Sequence, residues 1–164
     1  MENEKGPGDR PVQPILKPVG VAHTPYRAAG EAPFQGRFAK ATAVLEIFEE
    51  YSAALLDVER SNFLYVLYWA HLADRGVLRT ATPWGPEPRG VFACRSPARP
   101  NPINLCVVEL LERRENRLTV RGLDALDGSL ILDIKPYSAS IDSVSQARIG
   151  WFEEKRPAGQ TAAR

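Results

Sequence analysis

Two segments of the chain concentrate residue types that can do chemistry. The first is Gly90–Ile103, with the sequence GVFACRSPARPNPI. Its three prolines and two arginines make a stiff, basic, non-helical surface. Stiffness lowers the entropy lost when a ligand docks. Asn101 stands between Pro100 and Pro102, which restricts its backbone to extended geometry. Its amide either reads a nucleobase edge or closes a turn through its own backbone. The second segment is Gly122–Tyr137, GLDALDGSLILDIKPY. Asp124 and Asp127 flank a tight turn, where they either cap it or hold a ligand's polar groups. Asp133 and Lys135 share one face of a strand whose other face carries Leu132 and Ile134, and that charged face is either functional or merely solvated.

The surrounding charge pattern is compatible with a polyanionic partner without demanding one. The 164 residues carry a formal net charge of only +1. From Arg89 to Arg121, however, seven basic residues face three acidic ones, and all seven are arginine. Arginine makes forked phosphate contacts and stacks on bases. A solvated hairpin end explains Arg113 to Arg117 equally well. Metal chemistry finds no support: Cys94, Cys106, His23 and His71 have no ligand spacing. Two isolated cysteines and no signal peptide predict a reducing, cytoplasmic setting. The longest apolar run, near Phe63 to Ala70, is too short to span a membrane.

The elements that must position these segments are mostly strands. Fourteen prolines argue against long helices. Strands are predicted at Val19–His23, Thr42–Phe48, Phe63–His71, Ile103–Leu111, Leu118–Leu123 and Ile131–Lys135, with another extended segment starting at Val91. Apolar spacing at Tyr51, Leu55 and Val58 predicts a short helix over Glu49–Val58. Arg27–Phe38 and Thr80–Gly90 read as loops. Asp127-Gly128 signals a tight turn. Repeated short strands with one short helix predict a mainly β fold, a small single-domain antiparallel barrel over residues 14–152. Polar tails at 1–13 and 153–164 read as disordered. Phe63–His71 is apolar on both faces, Phe63, Tyr65, Leu67 and Trp69 on one and Leu64, Val66 and Tyr68 on the other. Such a strand is either buried on both sides or lies at a subunit contact, and the second case predicts a homodimer.

The two long motifs, with LDxxDG and DIKPY inside the second, closely resemble the TrmO-like methyltransferase family. Val19-Gly20-Val21, Thr24-Pro25-Tyr26, Ala32-Pro33-x-Gln35-Gly36-Arg37 and Leu67-Tyr68-Trp69-x-His71 agree with it. The resemblance covers about Val19 to Tyr137. It implies a dimeric, non-Rossmann β-barrel that binds S-adenosylmethionine and methylates N6 of threonylcarbamoyl-adenosine beside the tRNA anticodon. By motif position, it implies cofactor contacts at Gln35, Gly36, His71, Arg95, Leu105, Asp124, Ala125, Leu126 and Asp127. Three departures stand out: Cys94 where threonine is usual, Asn104 where glycine is usual, and Ser129-Leu130 where Thr-Pro is usual. Longer members carry a C-terminal domain, so a short form is expected here.

Methyl transfer from a sulfonium is a displacement that needs alignment of the reacting atoms and exclusion of water. An exocyclic nitrogen conjugated to a ring is a poor nucleophile, so a proton acceptor beside it helps. Asn101, Asp133 and Tyr137 are the candidates for that task. Arg99 and Lys135 are the candidates for substrate contact, Arg99 through phosphate. Anticodon-loop bases are already partly unstacked and within reach of a shallow basic surface. Two other readings remain: a methyltransferase acting on a small molecule, and a non-catalytic barrel that binds RNA or nucleotides.

Overall fold

The computed structural model describes residues 15–153. Eight strands form: β1 (Gly20–His23), β2 (Thr42–Ile47), β3 (Phe63–Trp69), β4 (Arg79–Thr82), β5 (Gly85–Gly90), β6 (Ile103–Arg114), β7 (Arg117–Arg121) and β8 (Leu130–Pro136). Six of them close into a barrel in the order β1-β2-β7-β6-β3-β8, with every pairing antiparallel. Period-two patterning makes the core. Leu45 on β2, Leu64 and Val66 on β3, Val108 on β6, Leu118 and Val120 on β7, and Ile131 on β8 are all buried inside. Closure also removes the free sheet edges that invite mispairing.

β8 does not alternate simply. Tyr68 lies opposite Ile131 and Leu67 opposite Asp133, so Leu132 is an extra residue in a bulge. The bulge lets Ile131 and Ile134 both meet inward positions of β3, which strict alternation forbids. Asp133 and Lys135 do share the outer face, as their spacing predicts, but Leu132 does not simply continue the row of Ile134. On β3 the inward set is Leu64, Val66 and Tyr68. Phe63, Tyr65, Leu67 and Trp69 lie outside, opposite Glu109, Val107, Leu105 and Ile103 of β6.

Several local expectations change. Thr80–Gly90 is not a loop: β4 and β5 form a separate two-stranded ribbon. Pro86 and Pro88 are tolerated there because each strand of a lone ribbon has one unpaired edge. The segment after Gly90 is a 3-10 turn, Val91–Ala93, that buries Val91, rather than an extended stretch. Glu49–Val58 is not one helix. A 3-10 helix covers Glu49–Leu55, Asp57 adopts a left-handed φ of 64°, and a second 3-10 turn covers Val58–Arg60. Only Leu55 of the first turn is buried, too little to hold a full amphipathic α-helix. Two one-turn helices, α1 (Ala139–Asp142) and α2 (Gly150–Glu153), follow the barrel in a stretch where the sequence pattern signals no element. The tails expected at 1–13 and 153–164 lie outside the described residues except for Glu153, which ends α2 instead of starting a tail.

One close approach locks the loop after β1 onto the barrel. Gly36 is buried, and a Cβ there would overlap the carbonyl oxygen of Gly122 and press on the Cys106 sulfur. Gly122 itself has φ 97°, which ends β7 in a conformation that disfavours a side chain. Gly36→Ala is therefore expected to destabilise the protein by about 1–3 kcal/mol. A thermal melt of the variant beside the parent checks this, and an unchanged midpoint would mean that the loop moves away freely.

Candidate active site

A cavity of about 430 Å³ opens where β3 ends and β6 begins. Four surface segments wall it: Pro33–Gln35, the stretch after β3 around His71, the β4–β5 tip at Thr82–Trp84, and Cys94–Pro97. Tyr68, Asn104, Asp124, Leu126 and Ser129 also line it, from the barrel strands and the segment before β8. Its size suits a small organic ligand, and its mixed apolar and polar lining is that of a binding cavity.

The polar groups beside the barrel form one chain. Asn104 Nδ2 donates to the Tyr68 hydroxyl at 3.0 Å. That hydroxyl donates to Asp124 Oδ1 at 2.7 Å, and the Cys106 thiol donates to the same oxygen at 2.7 Å. Burial pushes the Tyr68 phenol well above its usual pKa, and the adjacent Asp124 charge pushes it further. The same two causes, in the same order, raise the Cys106 thiol. Both groups stay protonated donors, so Cys106 is a structural thiol rather than a nucleophile. Asp124 is left as an acceptor whose Oδ2 has no hydrogen bond among the described residues. Also on the cavity lining, the His71 Nδ1 and the Ser129 hydroxyl lie 3.3 Å apart, with Ser129 fully buried.

The walls are built by internal ties. Arg99, read from the sequence as a phosphate contact, has its guanidinium on three backbone carbonyls: Ser96 at 2.7 Å, Val91 at 2.8 Å and Cys94 at 2.6 Å. These bonds knot the proline-rich loop and so present Cys94, Arg95, Ser96 and Pro97 to the cavity. Asp127 Oδ1 accepts the Thr24 amide at 3.0 Å, and Oδ2 lies 3.7 Å from Arg27. The Thr24 hydroxyl donates to the Ala125 carbonyl at 2.9 Å. Asp127 and Ala125 thus anchor the loop that leads to Pro33–Gln35. The roof is aromatic. Trp84 packs edge-on against Phe152 of α2 with centroids 4.8 Å apart, and the Trp151 indole donates to the Ala93 carbonyl at 3.1 Å.

The predicted site residues therefore divide. Gln35, His71, Arg95, Asp124 and Leu126 line the cavity together. Gly36, Ala125 and Asp127 support it from behind. Leu105, Asp133, Lys135 and Tyr137 lie apart from it. Leu105 is 48% exposed on the outer face opposite Leu67, and Asp133 pairs with Lys135 at 2.6 Å. Tyr137 meets Tyr65 edge-on at 5.3 Å. Asn101 is exposed, and its carbonyl accepts the Ile103 amide at 2.8 Å, which closes a turn. Sequence reasoning passed over Tyr68, Cys106, Trp84 and Phe34. For Tyr68 a signal existed, a phenol on the inward face of an apolar strand, because a buried hydroxyl must find a partner. Trp84 carried no such signal, since its place over the cavity comes from the ribbon that the prolines hide.

Comparison with known proteins agrees with this architecture. Residues 21–143 match the family model of the tRNA-methyltransferase O N-terminal domain. A protein of Archaeoglobus fulgidus named as an S-adenosyl-L-methionine-binding protein is 53% identical over 132 residues, covering 80% of this chain and 95% of its own. Another from the same organism, named as a probable S-adenosyl-L-methionine-binding protein, is 54% identical over 142 residues, and the match spans only 39% of it. The crystal structure of TrmO from Pseudomonas aeruginosa superposes with a TM-score of 0.70 at 31% identity, over 85% of this chain and 62% of that one. Thus the chain spans well under half of one relative and less than two thirds of the TrmO chain. With the barrel, the cavity and the family match in agreement, the protein belongs to the tRNA-methyltransferase O N-terminal domain family.

Proposed function

We propose that the chain is an S-adenosylmethionine-dependent methyltransferase, with its cofactor in the 430 Å³ cavity and N6 of threonylcarbamoyl-adenosine beside the tRNA anticodon as its target. The observation that carries the reading is the pairing of an oriented acceptor, Asp124, with a cation, Arg95, in one cavity with aromatic walls. That set suits a ligand with an amino-acid end, a ribose and a flat base. Asp124 Oδ2 takes a hydroxyl or ammonium, Arg95 takes a carboxylate, and Phe34 and Trp84 flank the apolar part. Gln35 and His71 complete the polar rim. The cofactor supplies an electrophilic methyl group.

The protein's own contribution is alignment and dryness. Tyr68 and Cys106 hold Asp124 Oδ1, so the carboxylate cannot rotate to meet water. Trp84, packed by Phe152, shields the opening. We assign the homodimer contact to the outer stripe of β3 and β6, where Phe63, Leu105 and Val107 are 39%, 48% and 38% exposed. Leu105, Asp133, Lys135 and Tyr137 then lie at or beside the subunit boundary. A cytoplasmic location belongs to the same reading, and is supported by Cys94 and Cys106 both being free thiols.

Calorimetric titration with S-adenosylmethionine should show binding that Asp124→Ala weakens about tenfold or more, as expected for a lost hydrogen bond to a charged group. No heat with the parent protein would overturn the cofactor assignment. Profiling of tRNA nucleosides after incubation with protein and cofactor should show threonylcarbamoyl-adenosine gaining a methyl group. Unchanged nucleosides, with the cofactor still bound, would move the substrate to a small molecule. Leu105→Asp should shift the protein from dimer to monomer in sedimentation while its circular dichroism spectrum stays that of the folded barrel, since the side chain is half exposed in the single chain. A parent protein that sediments as a monomer would remove the dimer from this reading.

A further inference from the structure

Much of the arginine-rich stretch is already paired with the chain's own groups. Arg99 is held by its own loop. Arg113 pairs with Glu59 at 2.7 Å, Arg114 with Glu112 at 2.8 Å, Arg117 with Glu46 at 2.6 Å and Arg121 with Glu109 at 3.0 Å. Arg37 and Lys40, outside that stretch, are exposed and have neither an ion pair nor a hydrogen bond among the described residues. Between them stands Phe38, 71% exposed.

This turn is rigid. The Phe38 amide donates to the Gln35 carbonyl at 3.0 Å and the Ala39 amide to the Gly36 carbonyl at 2.8 Å. Gly36 is wedged against Gly122, and Ala39 is buried. The two buried residues anchor the strip while Arg37, Phe38 and Lys40 face outward. With Arg121 on the far side they line an open groove. The groove adjoins the cavity through the chain itself. Gln35 lines one and Phe38 the other, a separation of at most about 10 Å along the backbone.

We propose that this groove docks the single-stranded RNA flanking the base presented to the cavity, with Arg37 and Lys40 on phosphates and Phe38 stacked on one base. The inference rests on the tRNA reading above and says where the RNA strand runs. Cations interleaved with an exposed aromatic ring are the elements of single-strand recognition. An acidic protein segment matches the charge but offers no flat base for Phe38.

The test is fluorescence anisotropy of a labelled anticodon stem-loop RNA bearing threonylcarbamoyl-adenosine, titrated with the full chain over a salt series. Arg37→Ala with Lys40→Ala should reduce the log–log salt slope by about 1.4, near 0.7 per lost phosphate contact on a single strand. Phe38→Ala should weaken binding about tenfold and leave the slope unchanged. Neither variant should change S-adenosylmethionine affinity by calorimetry or the melting temperature. If the parent binds RNA and all the variants match it in affinity and slope, the groove is not the docking strip, while the tRNA reading stands. If poly-glutamate displaces the RNA as well as unlabelled RNA does, the groove is a general anion surface and the proposal falls. If the parent binds no RNA at all, both readings fall together.

Discussion

A closed barrel of six strands has an interior wide enough only for side chains. That constraint governs the rest of the molecule. Its core is filled by Leu45, Val66, Val108, Leu118 and Ile131, all fully buried, so a ligand has to sit at an end. At that end the buried polar donors must find partners within the protein. The chain from Asn104 through Tyr68 to Asp124, joined by Cys106, is the solution found here. It ties β3, β6 and the segment before β8 to one carboxylate oxygen. The donors are kept protonated by burial, and the second oxygen has no hydrogen bond among the described residues.

Around that floor, the loops acquire their shape from ties that look like recognition groups in one dimension. An arginine with three carbonyl partners is a rivet for a loop that lacks regular structure. Backbone carbonyls in such a loop have no sheet partners, and a guanidinium with five donors can satisfy several at once. Asp127 does the corresponding work for the loop after β1. The result is a cavity whose lining residues are held in place by others behind them. Arg99, Asp127, Ala125 and Gly36 set its shape, and Arg95, Asp124 and Gln35 line it. The aromatic roof has the same logic: Trp84 sits on a two-stranded ribbon with no core of its own, and α2 steadies it through Phe152 and Trp151. Arg89 lies 5.3 Å over the Trp151 ring and adds a cation–π contact to that small cluster.

The outer surface carries two faces of different composition. The stripe of β3 and β6 is apolar and nearly uncharged from Tyr65 to Trp69 and from Ile103 to Val107, the composition of a contact between protein surfaces. The strip from Arg37 to Lys40 is charged and carries a single exposed ring, which is a composition for nucleic acid. The Gly36–Gly122 contact underlies the second face, because the approach of two backbones holds the strip against β7.

The sequence by itself determined the class of fold, the six barrel strands to within a few residues, and the two segments that surround the site. Period-two patterning and turn residues are local properties, so they can be read along the chain. The family's motifs added Gln35, His71, Arg95, Asp124 and Leu126, which the cavity brings together. What only the tertiary structure decided was which polar residue faces the cavity and which faces the protein. Asp124 and Asp127 are three residues apart in one turn, yet one lines the cavity and the other holds an amide behind it. Arg95 and Arg99 divide in the same way within one loop. The β4–β5 ribbon escaped notice because its prolines occupy edges that no local rule reveals, and the outer position of Asp133 beside an inward Ile134 depends on a bulge set by pairing with β3. In each case the deciding partner lies far away in sequence, and the hydrogen bond or close contact that fixes the role does not exist until the barrel closes.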